Sequence, residues 1–166
     1  RTWCFWEAGD NVLESVVHRR WSKLAFHGAG YSKVLEPAPY AYKMLRGIDF
    51  YRHMDAWLAA RPNVSRCYGA VEDIAESGDG VAVRINGRAH HAHFAFNSLP
   101  PPLPSDPRYH NLLQHFLGWV IHTEEPRFDP QTATLMDFRI AQGAETRFVY
   151  VLPLDAHRAL VEFTVF

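Results

Sequence analysis

The chain has 166 residues, 48% of them hydrophobic and 14% aromatic, which suits a globular unit with a real core and excludes a disordered segment. Its 17 Lys and Arg against 18 Asp and Glu leave a formal charge of −1, so it carries no basic footprint for nucleic acid. No run of about twenty apolar residues is present to form a spanning helix, and Cys4 and Cys67 show neither CxxC nor metal spacing. With no signal peptide in view, a reduced, cytoplasmic setting is favoured. Arg1 rather than Met at the start, and a strand-like pattern still running at Phe166, suggest a piece of a longer protein.

Residues 22–42 mix apolar positions with Gly28, Gly30, Pro37 and Pro39 and read as short strands joined by turns. A helix is expected from Gly47 or Asp49, with Phe50, Met54, Trp57 and Leu58 at helical spacing, Asp49 able to cap it and Pro62 marking its stop. Three strands are expected at 64–71, 81–85 and 91–96, with turns at 77–80 and at Asn86-Gly87, a strong hairpin signal. The Pro-rich stretch 97–107 reads as an irregular connection. Beyond it, a short helix is expected over 109–116, followed by an antiparallel sheet of strands at 119–123, 134–140, 148–152 and 159–166.

Period two in the last strand puts Leu160, Glu162, Thr164 and Phe166 on one face. Glu162 therefore shares its face with hydrophobes, where a carboxyl must be paired, exposed at a cleft or held neutral. The last of these makes a general acid. Asp137, in mid-strand, can equally pair with Arg139 or Arg147. In Arg88-Ala-His90-His91-Ala-His93, His91 and His93 share a strand face, but no third ligand follows at a suitable spacing, so no metal site is expected. Trp3, Trp6 and Trp21 read as core.

The stretches Thr134-Leu-Met-Asp-Phe-Arg139, Arg147-Phe-Val-Tyr-Val-Leu-Pro153 and Arg158-Ala-Leu-Val-Glu-Phe-Thr164 closely resemble, in order and spacing, the flavin-dependent lycopene cyclases. The similarity extends to Arg1-Thr-Trp-Cys-Phe-Trp-Glu7, to residues 42–51 and to Phe116-Leu-Gly-Trp119. The resemblance implies an α/β fold of the p-hydroxybenzoate-hydroxylase type, here an α+β fragment. In it, residues 1–104 hold the inner part of an FAD-binding domain, with a β-meander at 64–96 and an early excursion into the substrate sheet. Residues 105–166 then form most of that antiparallel substrate sheet. The Gly-rich turn that grips the FAD pyrophosphate is absent from these residues and is expected upstream, with a further part downstream.

The implied activity is carotenoid biosynthesis by a non-redox isomerase, an intramolecular lyase that cyclises lycopene ends to β-rings with FAD kept reduced by NAD(P)H. The alternative on the same scaffold is an FAD-dependent monooxygenase or isoprenoid reductase. Glu162 matches the first acid of the family's C-terminal motif, whose usual second acid is Phe163 here. Asp137 also falls on a family acid and is expected to orient Glu162 or close the pocket. Arg46 matches an Arg near the FAD, its alternative being a solvated charge at the helix start. Phe138, Phe148 and Tyr150 offer π faces to a cationic intermediate. An insoluble carotene substrate implies peripheral association with a membrane surface from the cytoplasmic side.

Overall fold

The computed structural model describes residues 1–99 and 106–166. Its strands are β1 (Thr2–Ala8), β2 (Val17–Trp21), β3 (Lys23–Gly28), β4 (Tyr31–Leu35), β5 (Tyr40–Arg46), β6 (Val71–Ser77), β7 (Gly80–Ile85), β8 (Arg88–Ala92), β9 (His115–His122), β10 (Thr132–Asp137), β11 (Arg147–Pro153) and β12 (Arg158–Val165). Among the described residues there is one α-helix, α1 (Gly47–Ala59), between β5 and β6. The class is therefore α+β and mainly β, the class expected of the fragment: among the described residues pairing is antiparallel except between β3 and β10.

The chain divides into two compact units, Arg1–Trp57 with Leu112–Phe166, and Leu58–Asn111; the boundary expected between residues 104 and 105 lies outside the described residues. In the first unit a three-stranded sheet, β1-β5-β2, faces a six-stranded sheet, β4-β3-β10-β11-β12-β9. Strands from the first fifty residues and from the last fifty thus share one sheet. Trp21, Leu24, Tyr42, Met44, Ala133 and Leu152 form the core between the two sheets, and the Trp21 indole donates to the Pro153 carbonyl at 3.1 Å. Of the three N-terminal tryptophans only Trp21 is buried. Trp3 and Trp6 stay partly exposed, Trp3 edge-on to Phe50 and Trp6 against Tyr42, because β1 lies at a sheet edge.

On the opposite face of β5, alternation sends Lys43 away from this core. Its ammonium is fully enclosed by Glu7 (2.8 Å), Glu14 (2.5 Å) and the Gly9 carbonyl (2.6 Å), with Asp10 at 3.7 Å. All three of its protons have acceptors, which is what makes a buried lysine tolerable. Segment 9–16 is thereby tied across the sheet.

The second unit holds the antiparallel meander β6-β7-β8. Asn86 and Gly87 both have positive φ, 48° and 74°, the two left-handed positions that a two-residue hairpin needs, so this sequence signal is realised. The strand expected at 64–71 starts only at Val71. Before it, Ala70 is held instead by the turn: its N–H donates to the Asn86 side chain at 3.0 Å, and a Cβ on Gly69 would come within 2.5 Å of that amide. The short helix expected at 109–116 is absent: a turn at Asp106 precedes residues without regular structure, and β9 begins at His115, where pairing with β12 takes over. Most of the Pro-rich connection lies outside the described residues. No helix among the described residues is long and apolar enough to cross a membrane.

Candidate active site

Packing a three-stranded sheet on a six-stranded one leaves the far end of the wider sheet without a full cover, and a cavity of about 920 Å³ opens there. Its walls come from β1 (Cys4), β5 (Tyr42, Met44), β9 (Gly118, Val120), β11 (Tyr150, Leu152) and β12 (Leu160, Glu162), with His18 and Arg46 on one wall. The lining near Glu162 is aliphatic and aromatic.

Glu162 reaches the cavity through strand register. In β12 it pairs with Tyr150 on one side and Gly118 on the other, so the carboxyl stands between a phenol ring and a residue without a side chain. A Cβ on Gly118 would lie 3.3 Å from Glu162 Oε2 and 3.2 Å from Leu160 Cδ1; the glycine leaves the space the carboxyl occupies. Among the described residues Glu162 makes no hydrogen bond or ion pair, and burial pushes its pKa above the usual carboxylate range. Around it stand other groups that keep their protons. Burial raises the Cys4 thiol to about 11, raises Tyr42 further, and raises Tyr150 with help from the Glu162 charge.

Asp137 is in a different situation. It pairs with Val149, whose neighbour Tyr150 pairs with Glu162, so alternation puts the two acids on opposite faces of the sheet. The Asp137 carboxylate is taken up by Arg139, through Nε at 2.9 Å and Nη2 at 2.6 Å, and this hydrogen bonding holds its pKa down. It does not line the cavity. The pairing with Arg139 is the one of the two partners foreseen that the structure shows.

Of the three aromatics, Tyr150 lines the cavity. Phe148 is buried next to it, ring centroids 5.1 Å apart, and Phe138 follows at 5.3 Å from Phe148, so the three form a row that supports Tyr150 from behind. Arg46 ends β5, lines the cavity and hydrogen-bonds Asp49 in the first turn of α1. His91 and His93 border a small hollow with Asp79, and no group of three or more potential ligands gathers among the described residues. Cys4, Tyr42 and Gly118 escaped the sequence reading. Tyr42, Met44 and Arg46 do alternate at period two, but the pairing of Cys4 with Met44 joins residues forty apart and carries no local sign.

A cavity with one carboxylic acid set among apolar side chains, built on a mainly β α+β frame, defines a class of site suited to acid chemistry on an apolar substrate. The chain belongs to the lycopene cyclase family, whose model, described as lycopene cyclase protein, matches residues 1–166. That membership makes it a carotenoid-biosynthesis cyclase by family. No curated protein and no solved structure matches the chain.

Proposed function

We propose that the protein cyclises the linear ends of lycopene to β-rings by a proton-initiated, non-redox route in which Glu162 is the proton donor. The observation that carries this reading is the unpartnered Glu162 carboxyl on an apolar stretch of the cavity wall, pushed up by burial, while Asp49, Asp137 and Asp155 are all pushed down by arginines. An acid with raised pKa is protonated where it is needed.

The proton passes from the Glu162 carboxyl to a terminal C=C, leaving a tertiary cation; an internal double bond attacks it, closing the ring, and loss of a ring proton restores neutrality. No electrons are gained or lost. Met44, Leu152, Leu160 and Val120 keep water from the cation, and the Tyr150 ring offers it a π face, an interaction of about 2 kcal/mol when desolvated.

Reduced FAD, kept reduced by NAD(P)H, is the cofactor this reading implies; when bound it would supply negative charge to a cationic intermediate without being consumed. The guanidinium of Arg46, on the cavity wall and half exposed, fits an anionic cofactor. The meander β6-β8 and the six-stranded sheet support a relation to the p-hydroxybenzoate-hydroxylase fold. Exposed Leu117, Trp119 and Ile121 on β9 support a protein that takes its substrate from a membrane surface.

Glu162→Gln keeps the shape and removes the acid. With lycopene and reduced FAD, the full chain carrying it is expected to lose about 10² to 10⁴ in cyclisation rate with flavin content unchanged. Cyclisation near the wild-type rate would refute Glu162 as donor.

A further inference from the structure

Strand geometry sets one imidazole on the wall of the cavity. In the ladder between β2 and β5, Val17 pairs with Leu45 and Arg19 with Met44, so His18 is the extra residue of a bulge. A bulged residue is released from alternation and its side chain is re-aimed, and His18 lines the cavity that holds Glu162. The two come from opposing sheets, His18 from β1-β5-β2 and Glu162 from the six-stranded sheet. His18 is also exposed and borders an open hollow with Ser15, Arg52 and His53, so its ring stands between the cavity and solvent. Among the described residues the ring makes no hydrogen bond, which leaves a nitrogen lone pair unspent.

Cyclisation ends with the loss of a ring proton, and few side chains on the cavity wall can take one. Burial keeps the protons of Cys4, Tyr42 and Tyr150 in place, the arginines on the wall are cations, and its remaining polar side chains are a hydroxyl, an indole and an amide. That leaves His18 and the carboxylate that Glu162 becomes after the first step. The two differ in position. The carbon that gains a proton and the carbon that loses one are different atoms of the new ring, separated by the carbon at which the ring closes. A base on the opposing sheet reaches the second carbon without the ring having to turn toward the acid again.

We propose that His18 is the general base that ends the reaction, accepting the proton the ring carbon loses. The inference rests on the cyclase reading and adds a second catalytic residue to it. The C–H electron pair becomes the ring double bond and discharges the cation, and the imidazole becomes an imidazolium that hands its proton to water on the open side; no electrons pass to another molecule. The surroundings suit this role. Burial first, then the charge of Arg46 in β5 opposed by Asp49 of α1, with Arg19 of β2 and Arg158 of β12 adding to that of Arg46, holds the imidazole below its ordinary pKa, while Arg52 and His53 of α1 border the same hollow. The ring is therefore neutral and able to accept at pH 7, and the same arginines favour release of the proton afterwards.

The full chain is assayed with lycopene and reduced FAD, and the products are separated by the position of the ring double bond and by mass. His18→Gln, similar in reach but without a basic nitrogen, is expected to lower the rate about 10²-fold and to divert the cation, giving rings with the double bond elsewhere or a ring alcohol from capture by water. His18→Ala is expected to lose as much and to regain part of the rate, with the wild-type ring, when imidazole is added; the recovery should grow between about pH 5 and pH 8 as the added imidazole becomes neutral. A wall merely deformed by the substitution produces neither the diverted products nor the rescue. Wild-type rate and product in His18→Gln, or a loss of rate with unchanged product and no rescue of His18→Ala, overturns the proposal and leaves the cyclase reading standing. Absence of any cyclic product from the wild-type chain overturns both.

Discussion

Gly118 is the residue through which the placement of the Glu162 carboxyl can be tested without touching the acid. In Gly118→Ala the new methyl would stand 3.3 Å from Glu162 Oε2 and 3.2 Å from Leu160 Cδ1, against about 3.5 to 4.0 Å for relaxed contact, so the carboxyl must retreat by a few tenths of an ångström. Misplacement by about 1 Å costs about 10²-fold in rate, and on a logarithmic scale a shift of about 0.3 Å costs about fourfold. Gly118→Val, with two more methyls in the same space, should cost well over tenfold. Stability should move little in the alanine variant. Replacing a strand glycine gains about 0.5 to 1 kcal/mol in backbone entropy, which offsets overpacking of about 1 kcal/mol in a strand at the sheet edge. The assay is the initial rate of cyclic carotene formation by the full chain, with a melting curve run beside it. A graded loss of rate from Gly to Ala to Val at nearly constant alanine-variant Tm supports the argument. Wild-type rates in Gly118→Val would refute it, because the carboxyl would then not occupy the gap.

Asp137→Asn should leave the cyclisation rate within about twofold, since the side chain is paired to Arg139 on the sheet face away from Glu162; a loss comparable to that of Glu162→Gln in the same product assay would restore Asp137 to the chemistry. Asp155 holds the β11–β12 turn by accepting from the His157 and Arg158 N–H groups and from Arg158 Nε, which brings its pKa to about 2. Because this folded value lies below the unfolded value of about 3.9, its stabilisation is complete above about pH 4 and fades as pH falls toward 2. Asp155→Ala should therefore lower Tm at pH 7 and converge on the wild type near pH 2, and a constant difference across that range would contradict the assignment.

Local pattern was legible wherever one residue or one period decides the outcome. Asn86-Gly87 announces its hairpin because only those two residue types accept two successive positive φ values readily, and the alternation from Leu160 to Phe166 fixed the face of Glu162 before any partner strand was known. What stayed hidden was set by pairing between distant segments. Nothing near Cys4 says that it will lie beside Met44, and nothing near Gly118 says that its missing side chain makes room for an acid in another strand. At 115–116 the expected helix gives way to the start of β9, where a full ladder with β12 overrides local propensity. The row of Phe138, Phe148 and Tyr150 was found by residue type, but only register distinguishes the ring that meets the cavity from the two that back it.

The two acids show why that register matters for chemistry. Asp137 and Glu162 sit in strands of one sheet, both flanked by aromatic residues in sequence, and composition cannot rank them as donors. Alternation does so. It turns Asp137 toward Arg139, where hydrogen bonding holds its pKa down, and turns Glu162 toward the second sheet, where it forms no ion pair among the described residues and burial raises its pKa. The acidity of the site is thus a product of packing two sheets together, not of any single neighbour. On the proposed reading, the three-stranded sheet, which carries Cys4, Tyr42 and Met44, serves the reaction by shielding the Glu162 wall from water, even though none of those residues need exchange a proton.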